Sequence, residues 1–261
     1  MLGAIAGDII GSVYERRNHR SVEFPLFHPL CRPTDDSILT IALADSILSG
    51  TDFAQVMKTY YARYPDAGFG GAFSRWARSS DSEPYNSWGN GSAMRVSPVA
   101  WAYQSLDEVL AAAESSAAVT HNHPEGIKGA KAIAAAVFMA RTGSSKAEIK
   151  AYTEAEFAYT LDDTIANLRE TYAFNVSCQG SVPQAIIAFL ESDSFEDSVR
   201  KAVSIGGDSD TIASMAGAVA EAFYGGVSTN IQHEVFARLD PALTKVVRDF
   251  TERYRITVQS N

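Results

Sequence analysis

The stretch IGGDSDTIASMAGAVAEAFYG, residues 205–225, decides the fold of this 261-residue chain. Its second half carries alanine, glycine and serine at most helical positions, so another helix can approach its backbone closely. The N-terminal stretch MLGAIAGDIIG, residues 1–11, offers a matching surface, because Gly3, Gly7 and Gly11 stand four residues apart on one helical face. The two stretches therefore predict a pair of helices packed at short range in the centre of the protein.

Helical periodicity covers most of the remaining chain, and strand-like alternation is hardly visible. The ranges with apolar residues at three- and four-residue spacing are 37–48, 105–118, 125–141, 164–173, 182–191, 194–203 and 211–224. Pro124 and Gly143 add start and stop signals around one of them. We therefore expect a fold dominated by helices, with residues 1–261 as a single domain.

Composition and charge exclude several classes of protein. Hydrophobic residues make up 46% and charged residues 20%, an ordinary globular balance. The net charge of -9 would repel a polyanion, so we expect no unspecific nucleic-acid binding. Cys31 and Cys178 match no zinc spacing and indicate free thiols in a reducing compartment. No stretch resembles a signal peptide or approaches the roughly 20 apolar residues of a membrane span, so we expect a cytoplasmic monomer without membrane contact.

A first acidic motif, PTDDS at residues 33–37, precedes the helix predicted for 37–48. Acids and hydroxyls at such a position often serve only as a helix N-cap, and taken alone the motif favours that interpretation. The stretch LDDT at 161–164 has a similar appearance. Because Leu161 replaces the threonine and a helical range follows, we interpret it as a cap.

A second acidic motif, GGDSDT at 206–211, changes the interpretation of the first. Its two glycines deliver Asp208 and Asp210 two residues apart, and Thr211 begins another predicted helix. Hard divalent cations take oxygen ligands at about 2.0 to 2.6 Å, and a pair of ions needs several carboxylates from different segments. An EF-hand is excluded, because the sixth-position glycine and twelfth-position acid are missing. The two motifs together predict a metal site.

Two further segments are suited to bind a ligand. GNGSAMR, residues 89–95, can turn backbone N–H groups inward as an anion nest with Arg95 adding charge, although a plain turn fits it equally well. In THNHPEG, residues 120–126, His121 and His123 stand before a helix, where either can cap the helix or contact a ligand. Neither histidine has the partners that a zinc site needs.

Other residues extend the candidate site. Glu15 continues the four-residue series of glycines, and Asp8 lies seven residues before it, so both acids can point toward the same region. The range 62–97 lacks clear periodicity, and a loop of that length is usually functional or disordered. Aromatic residues argue that it is ordered; they are Phe69, Phe73, Trp76, Tyr85 and Trp88.

As a set, these segments resemble the ADP-ribosylglycohydrolase family. The matching segments, in the family's order, are GAIAGDIIGSVYE at 3–15, PTDDS at 33–37, GNGSAMRVSP at 89–98, THNHPEG at 120–126 and the stretch 205–225. The resemblance implies an all-α fold, a single compact orthogonal multi-helix bundle, holding two Mg²⁺ or Mn²⁺ ions. It also implies cleavage of the bond between ADP-ribose and its acceptor. One departure is Ser37, where many members carry threonine; it lies outside the ligands carried over.

The resemblance assigns roles to particular residues. The implied metal ligands are Thr34, Asp35, Asp36, Asp208, Asp210 and Thr211. Glu15 matches the acid that some members place beside the scissile bond. As further catalytic residues we expect Asp36 and Asp210, one of which would orient a water and accept its proton. The implied diphosphate-binding residues are Gly89, Asn90, Gly91, Ser92, Ala93, Met94 and Arg95. His121 and His123 match the motif on the ribose side, and an aromatic residue of 62–88 could stack on adenine.

The expected substrate is an ADP-ribosylated protein or a small ADP-ribosyl molecule. The segment 120–126 slightly favours an arginine-type acceptor. Two alternatives stay open. A dinuclear-metal phosphoesterase acting on nucleotides would also need clustered aspartates, and a non-catalytic ADP-ribose-binding or structural relative is known in the family.

Overall fold

The part of the chain that the computed structural model describes, residues 1–254, is built from α-helices and contains no strand. In chain order the helices are α1 (Leu2–Gly11), α2 (Asp35–Ser49), α3 (Phe53–Arg63), α4 (Gly71–Arg78), α5 (Gly91–Met94), α6 (Ser97–Ala102), α7 (Leu106–Ala118), α8 (Pro124–Arg141), α9 (Lys146–Phe157), α10 (Ile165–Thr171), α11 (Cys178–Leu190), α12 (Phe195–Ser204), α13 (Ser209–Phe223), α14 (Thr229–Phe236) and α15 (Pro241–Arg253). The predicted all-α fold is confirmed for these residues.

Helices α1 and α13 form the predicted close pair, and every residue of α1 is buried. A Cβ atom on Gly7 would collide with the backbone of Ala213, and one on Gly3 would collide with the carbonyl oxygen of Gly217. A Cβ on Gly11 would meet Asp210 in the same way. The glycines therefore allow backbone-to-backbone contact, and this contact fixes the position of the second acidic motif.

The predicted helical ranges all contain helices, with shifted boundaries. The largest shift is in α11, which begins at Cys178, because the Ser177 hydroxyl accepts a hydrogen bond from the Gly180 N–H and adds a polar first turn. The range 164–173 forms α10, and Thr164 caps it by accepting a hydrogen bond from the Asn167 N–H. The interpretation of LDDT as a helix cap is therefore confirmed.

Several helices were missed by the periodicity argument. The range 62–97 is not a continuous loop, since it contains α4 and α5 and begins inside α3. Helix α9 has a full capping box in which Ser145 and Glu148 bond each other's backbone N–H. Helix α15 begins after the capping residue Asp240 with proline at its first position. These cap signals are visible in the sequence and compensate for the weak apolar patterns.

Helix α1 ends at Gly11, with the Ser12 N–H bonded to the Asp8 carbonyl. Glu15 therefore lies in the following turn and not on the helical face that the four-residue spacing predicted.

Both cysteines are buried and free. Within residues 1–254, none of the helices combines the length and the apolar character that crossing a membrane requires.

Candidate active site

A cavity of about 410 Å³ brings together the segments that the sequence singled out. The predicted site residues that line it are Glu15, Asp35, Asp36, Gly89, Asn90, Gly91, Met94, Arg95, His121, Asp208 and Thr211. Those that do not line it are Thr34, Ser92, Ala93, His123 and Asp210. One end of the cavity is acidic, and the other is formed by the 89–95 loop and its neighbours.

Asp8 organises the acidic end from behind. Its carboxylate accepts hydrogen bonds from the Thr34 hydroxyl at 2.6 Å and the Thr34 N–H at 2.9 Å. The Ser37 N–H, at 3.1 Å, and the Ser37 hydroxyl bond the same carboxylate. Because an acid buried within the apolar α1 must find such partners, Asp8 anchors the start of α2. An acid inside an otherwise apolar helix was the sequence signal for this role.

The first acidic motif forms the N-terminus of α2. Thr34 is the N-cap, and its hydroxyl accepts the Asp36 N–H at 3.3 Å. Asp36 in turn joins the two motifs, since its Oδ2 accepts a hydrogen bond from the Thr211 hydroxyl at 3.2 Å. Its other oxygen, Oδ1, is buried and has no hydrogen-bond partner among the described residues. The motif is therefore both a helix cap and a source of an uncompensated carboxylate oxygen.

The second acidic motif begins with two glycines in the left-handed region, Gly206 at φ 75° and Gly207 at φ 66°. They turn the chain so that Asp208 and Asp210 enter the site at the start of α13. Asp208 is held by Asn90, whose Nδ2 donates to Asp208 Oδ2 at 2.6 Å. Asn90 therefore connects the 89–95 loop to the acidic end.

Two triads of carboxylates have oxygen atoms within 4.8 Å of one another. One triad is Asp8, Asp36 and Asp210, and the other is Glu15, Asp208 and Asp210. Both could hold a metal ion, and they share Asp210. The orphaned Oδ1 of Asp36 fits this interpretation, because a buried carboxylate oxygen without a donor is costly unless a cation compensates it.

Burial also shifts the acid–base behaviour of this end. It raises the pKa of Asp35 to about 7, with the charge of Asp8 adding to the shift. It raises the pKa of Asp208 to about 6. The pKa values of Asp36 and Asp210 lie well above the ordinary value, again through burial and then through neighbouring carboxylates. A cation would reverse these shifts by favouring the charged forms.

The loop end of the cavity is held by neutral contacts. The Asn90 N–H donates to the Val176 carbonyl at 2.8 Å, and the Cys178 thiol contacts the Gly89 carbonyl at 3.0 Å. Gly89 also forms an isolated antiparallel bridge with Ser177. The Ser92 hydroxyl points away from the cavity to the Gly126 carbonyl at 2.7 Å. The loop is therefore fixed from below by the segment that precedes α11.

Arg95 does not reach into the cavity as an exposed charge. The side chain is 0% exposed, and its Nη2 donates to the Ser116 carbonyl at 3.1 Å and to the Thr120 hydroxyl at 2.8 Å. Burial lowers its pKa to about 10. The arginine therefore acts on the loop from behind, and not as the direct anion ligand that the sequence suggested.

The two histidines of the 120–126 segment have different positions. His121 is buried against the cavity, and burial lowers its pKa well below the ordinary value. His123 caps α8, where its Nδ1 accepts the Glu125 N–H at 3.1 Å. It lies beside Trp88 in a separate surface depression. One histidine therefore faces the site, and the other serves the helix.

Aromatic residues reach the cavity from two segments. Phe73 and Tyr85, from the predicted 62–88 region, line it. Phe174 also lines it and is 56% exposed, next to Val176. Sequence reasoning missed Phe174, because the short stretch YAFNVS at 172–177 carries no motif that marks it as part of a site.

With this geometry in view, comparison with known proteins shows the family. The model of the ADP-ribosylglycohydrolase family matches residues 1–257. The chain belongs to that family, whose enzymes hydrolyse ADP-ribose linkages. A solved structure described as an ADP-ribosylglycohydrolase-related protein complex has the same fold. Its TM-score is 0.70 at 24% sequence identity, covering 98% of this chain and 96% of that one.

Two kinds of relative are similar over most of this chain. ADP-ribosylhydrolase ARH3 of Mus musculus is 28% identical, over 86% of this chain and 82% of its own length. ADP-ribosylarginine hydrolase Tri1 of Pseudomonas putida (strain GB-1) is 23% identical, over 86% of this chain and 69% of its own length.

Proposed function

We propose that this chain is a metal-dependent hydrolase that cleaves the glycosidic bond between ADP-ribose and an acceptor. The observation that carries the proposal is the convergence of Asp36 and Asp210 in one buried cluster, with Asp36 Oδ1 lacking any donor among the described residues. The loop end of the same cavity places Phe73 and Tyr85 beside His121 and the 89–95 loop, a lining suited to a nucleotide.

The residues that would hold two Mg²⁺ or Mn²⁺ ions are Thr34, Asp35, Asp36, Asp208, Asp210 and Thr211. Hydroxyl and carboxylate oxygens are the donors that these cations prefer, and all six belong to the two helix starts that meet here. When bound, the ions would supply positive charge to the ribose hydroxyls and to a water.

The chain's own groups would complete the chemistry. Cleavage at the anomeric carbon passes through a state with positive charge on the ribose, which nearby carboxylates stabilise. Asp36 or Asp210 would orient the attacking water and accept its proton. Glu15, which shares a cluster with Asp210, would act beside the leaving group. Phe73, Tyr85 and Phe174 are the candidates for stacking on adenine.

The substrate is then an ADP-ribosylated protein or a small ADP-ribosyl molecule. The 120–126 segment slightly favours an arginine acceptor, in keeping with the similarity to the ADP-ribosylarginine hydrolase. His121, which lines the cavity, would contact the ligand, whereas we expect only a structural role for His123 at the start of α8.

Release of free ADP-ribose from arginine- and serine-ADP-ribosylated peptides tests the proposal, with Mg²⁺, Mn²⁺ or EDTA. We expect metal-dependent release that falls about 10³-fold in Asp210→Ala, because a metal ligand supplies several kcal/mol of transition-state stabilisation. Asp162→Ala is the matched control, since Asp162 is an exposed acid paired with Lys150.

The products separate the alternatives. Asp210→Ala retaining half of the activity would contradict the metal assignment. Release of AMP or phosphate in place of ADP-ribose would indicate the nucleotide phosphoesterase. ADP-ribose binding without release from either peptide would favour the non-catalytic relative.

A further inference from the structure

A chain of hydrogen bonds runs from the buried Arg95 through Thr120 to His121. Arg95 Nη2 lies 2.8 Å from Thr120 Oγ1, and Thr120 Oγ1 lies 2.7 Å from His121 Nδ1. We propose that this relay fixes the neutral His121 ring with its proton on Nε2, which makes His121 a directed hydrogen-bond donor to an anionic ligand on the Gly89–Gly91 loop. Thr120 is then a positioning residue for ligand recognition.

The Thr120 hydroxyl has one proton to donate and two lone pairs with which to accept. A guanidinium can only donate, so one lone pair of the Thr120 oxygen accepts from Arg95. The hydroxyl has one proton of its own, and His121 Nδ1 lies at hydrogen-bond distance, where it accepts or donates according to the tautomer of the ring. If Thr120 donates to Nδ1, the proton of the neutral ring must stand on Nε2.

The Arg95 end of the chain sets its direction. A hydroxyl that accepts a hydrogen bond from a cation is polarised into a stronger donor, so the Thr120 proton continues toward His121 Nδ1. In the opposite tautomer the Thr120 oxygen would accept from both Arg95 and Nδ1–H, and the Thr120 proton would lose Nδ1 as its acceptor.

His121 Nε2 lies next to the loop, so the tautomer decides whether the ring can donate a hydrogen bond there. A Cβ on Gly91 would lie 3.1 Å from His121 Nε2, and one on Gly89 would lie 3.7 Å from it. The ring therefore stands over the loop, in closest approach to Gly91. Burial together with the nearby Arg95 charge lowers the pKa of His121, so the ring is neutral at pH 7. A neutral N–H donates a hydrogen bond to an oxygen of the ligand and adds no positive charge to the cavity.

The identity of the ligand as a diphosphate rests on the proposed function, whereas the tautomer of His121 does not depend on it. Nitrogen-15 NMR of the free protein distinguishes a protonated ring nitrogen from an unprotonated one, and a His121→Asn variant identifies the His121 signals among the five histidines. We expect protonated Nε2 and unprotonated Nδ1 in the wild type. In Thr120→Val, which keeps the shape and removes the hydroxyl, both tautomers should populate.

Calorimetric titration with ADP-ribose measures the functional consequence. We expect the Kd to rise about three- to tenfold in Thr120→Val, the range that one lost hydrogen bond produces, and to recover in Thr120→Ser. Thr153→Val is the matched control, because Thr153 is also buried but bonds only its own helix at the Ile149 carbonyl. Melting temperatures of all variants check folding.

The outcomes separate the two proposals. A wild-type ring protonated on Nδ1 would overturn the relay, whatever the enzyme does. A changed tautomer in Thr120→Val with an unchanged Kd would overturn the role of His121 as a donor to the ligand. No binding of ADP-ribose to the wild type would count against the proposed function, while the NMR signals would still decide the tautomer.

Discussion

The two ends of the cavity differ in their charge and in the contacts that hold them in place. At the acidic end, carboxylates stand at the starts of two helices, and the Gly7–Ala213 backbone contact of α1 and α13 fixes the second start rigidly. At the loop end, neutral hydrogen bonds hold the 89–95 loop, Arg95 stands behind it, and Phe174 is half exposed. The acidic end is rigid and carries clustered carboxylates, whereas the loop end carries one buried cation and is partly open.

This difference indicates what each end recognises. Carboxylates brought together in a buried cluster repel one another, so the acidic end is stable in its charged form only with cations present. At the loop end, the buried Arg95 has two nitrogens without partners among the described residues, and His121 lines the cavity beside it, so this end favours an anionic ligand. A molecule with a phosphate portion and a sugar that contacts cations would suit both ends at once. Substitutions at the acidic end and at the loop end test this difference separately.

The largest expected effect on stability comes from breaking the rigid support of the acidic end. Gly7→Ala places a methyl group against the Ala213 backbone, and we expect a loss of about 3 kcal/mol in the free energy of unfolding. Gly71→Ala is the control, because the nearest atom to its Cβ would be the flexible Arg75 guanidinium at 3.7 Å. Urea unfolding measures both variants. Equal stability of the two would contradict the close contact of α1 and α13.

A second prediction concerns the charge of the acidic end without metal. Burial raises the pKa of Asp35 to about 7 and that of Asp208 to about 6, whereas in the unfolded chain both titrate near pH 4. Between these values the folded state binds more protons than the unfolded state. The free energy of unfolding therefore falls as pH rises, by about 1.4 kcal/mol per pH unit for each group.

Urea unfolding in EDTA at pH 5 and pH 8 checks this sign. We expect the metal-free protein to be less stable at pH 8. Saturating Mn²⁺ should remove or reverse the trend, because its ligands must be deprotonated. A metal-free protein that is more stable at pH 8 would show that these carboxylates are not buried together as described.

The two ends also differ in how far the sequence predicts them. The acidic motifs and the glycine spacing of α1 are local patterns, so the position of Asp208 and Asp210 followed from the residues themselves. The burial of Arg95 and the separation of His121 from His123 depend on how α7 and α8 meet around the loop. Phe174 comes from a distant segment, and its approach to the cavity depends on tertiary packing that no local pattern records.

An intermediate effect is expected at the loop end from Arg95→Met. Since Arg95 is fully buried and two of its nitrogens lack partners among the described residues, an apolar replacement need not destabilise the fold. We expect the KM for ADP-ribosylated peptides to rise about tenfold, a loss of about 1.4 kcal/mol, because the replacement removes the buried positive charge behind the loop and the donor that holds Thr120. The shift in melting temperature on adding Mn²⁺ should stay unchanged. An unchanged KM would remove Arg95 from ligand recognition.

The smallest expected effect is at the open rim. Phe174→Ala removes an exposed ring that lines the cavity, and we expect the KM to rise about threefold, since an exposed aromatic contact contributes about 0.5 to 1 kcal/mol. The melting temperature should not change. Trp88→Ala is the matched control, because Trp88 is similarly exposed at 51% but lies beside His123 outside the cavity. A larger KM change in Trp88→Ala than in Phe174→Ala would place the adenine on the His123 side of the loop, and the open rim would then belong to a different part of the ligand.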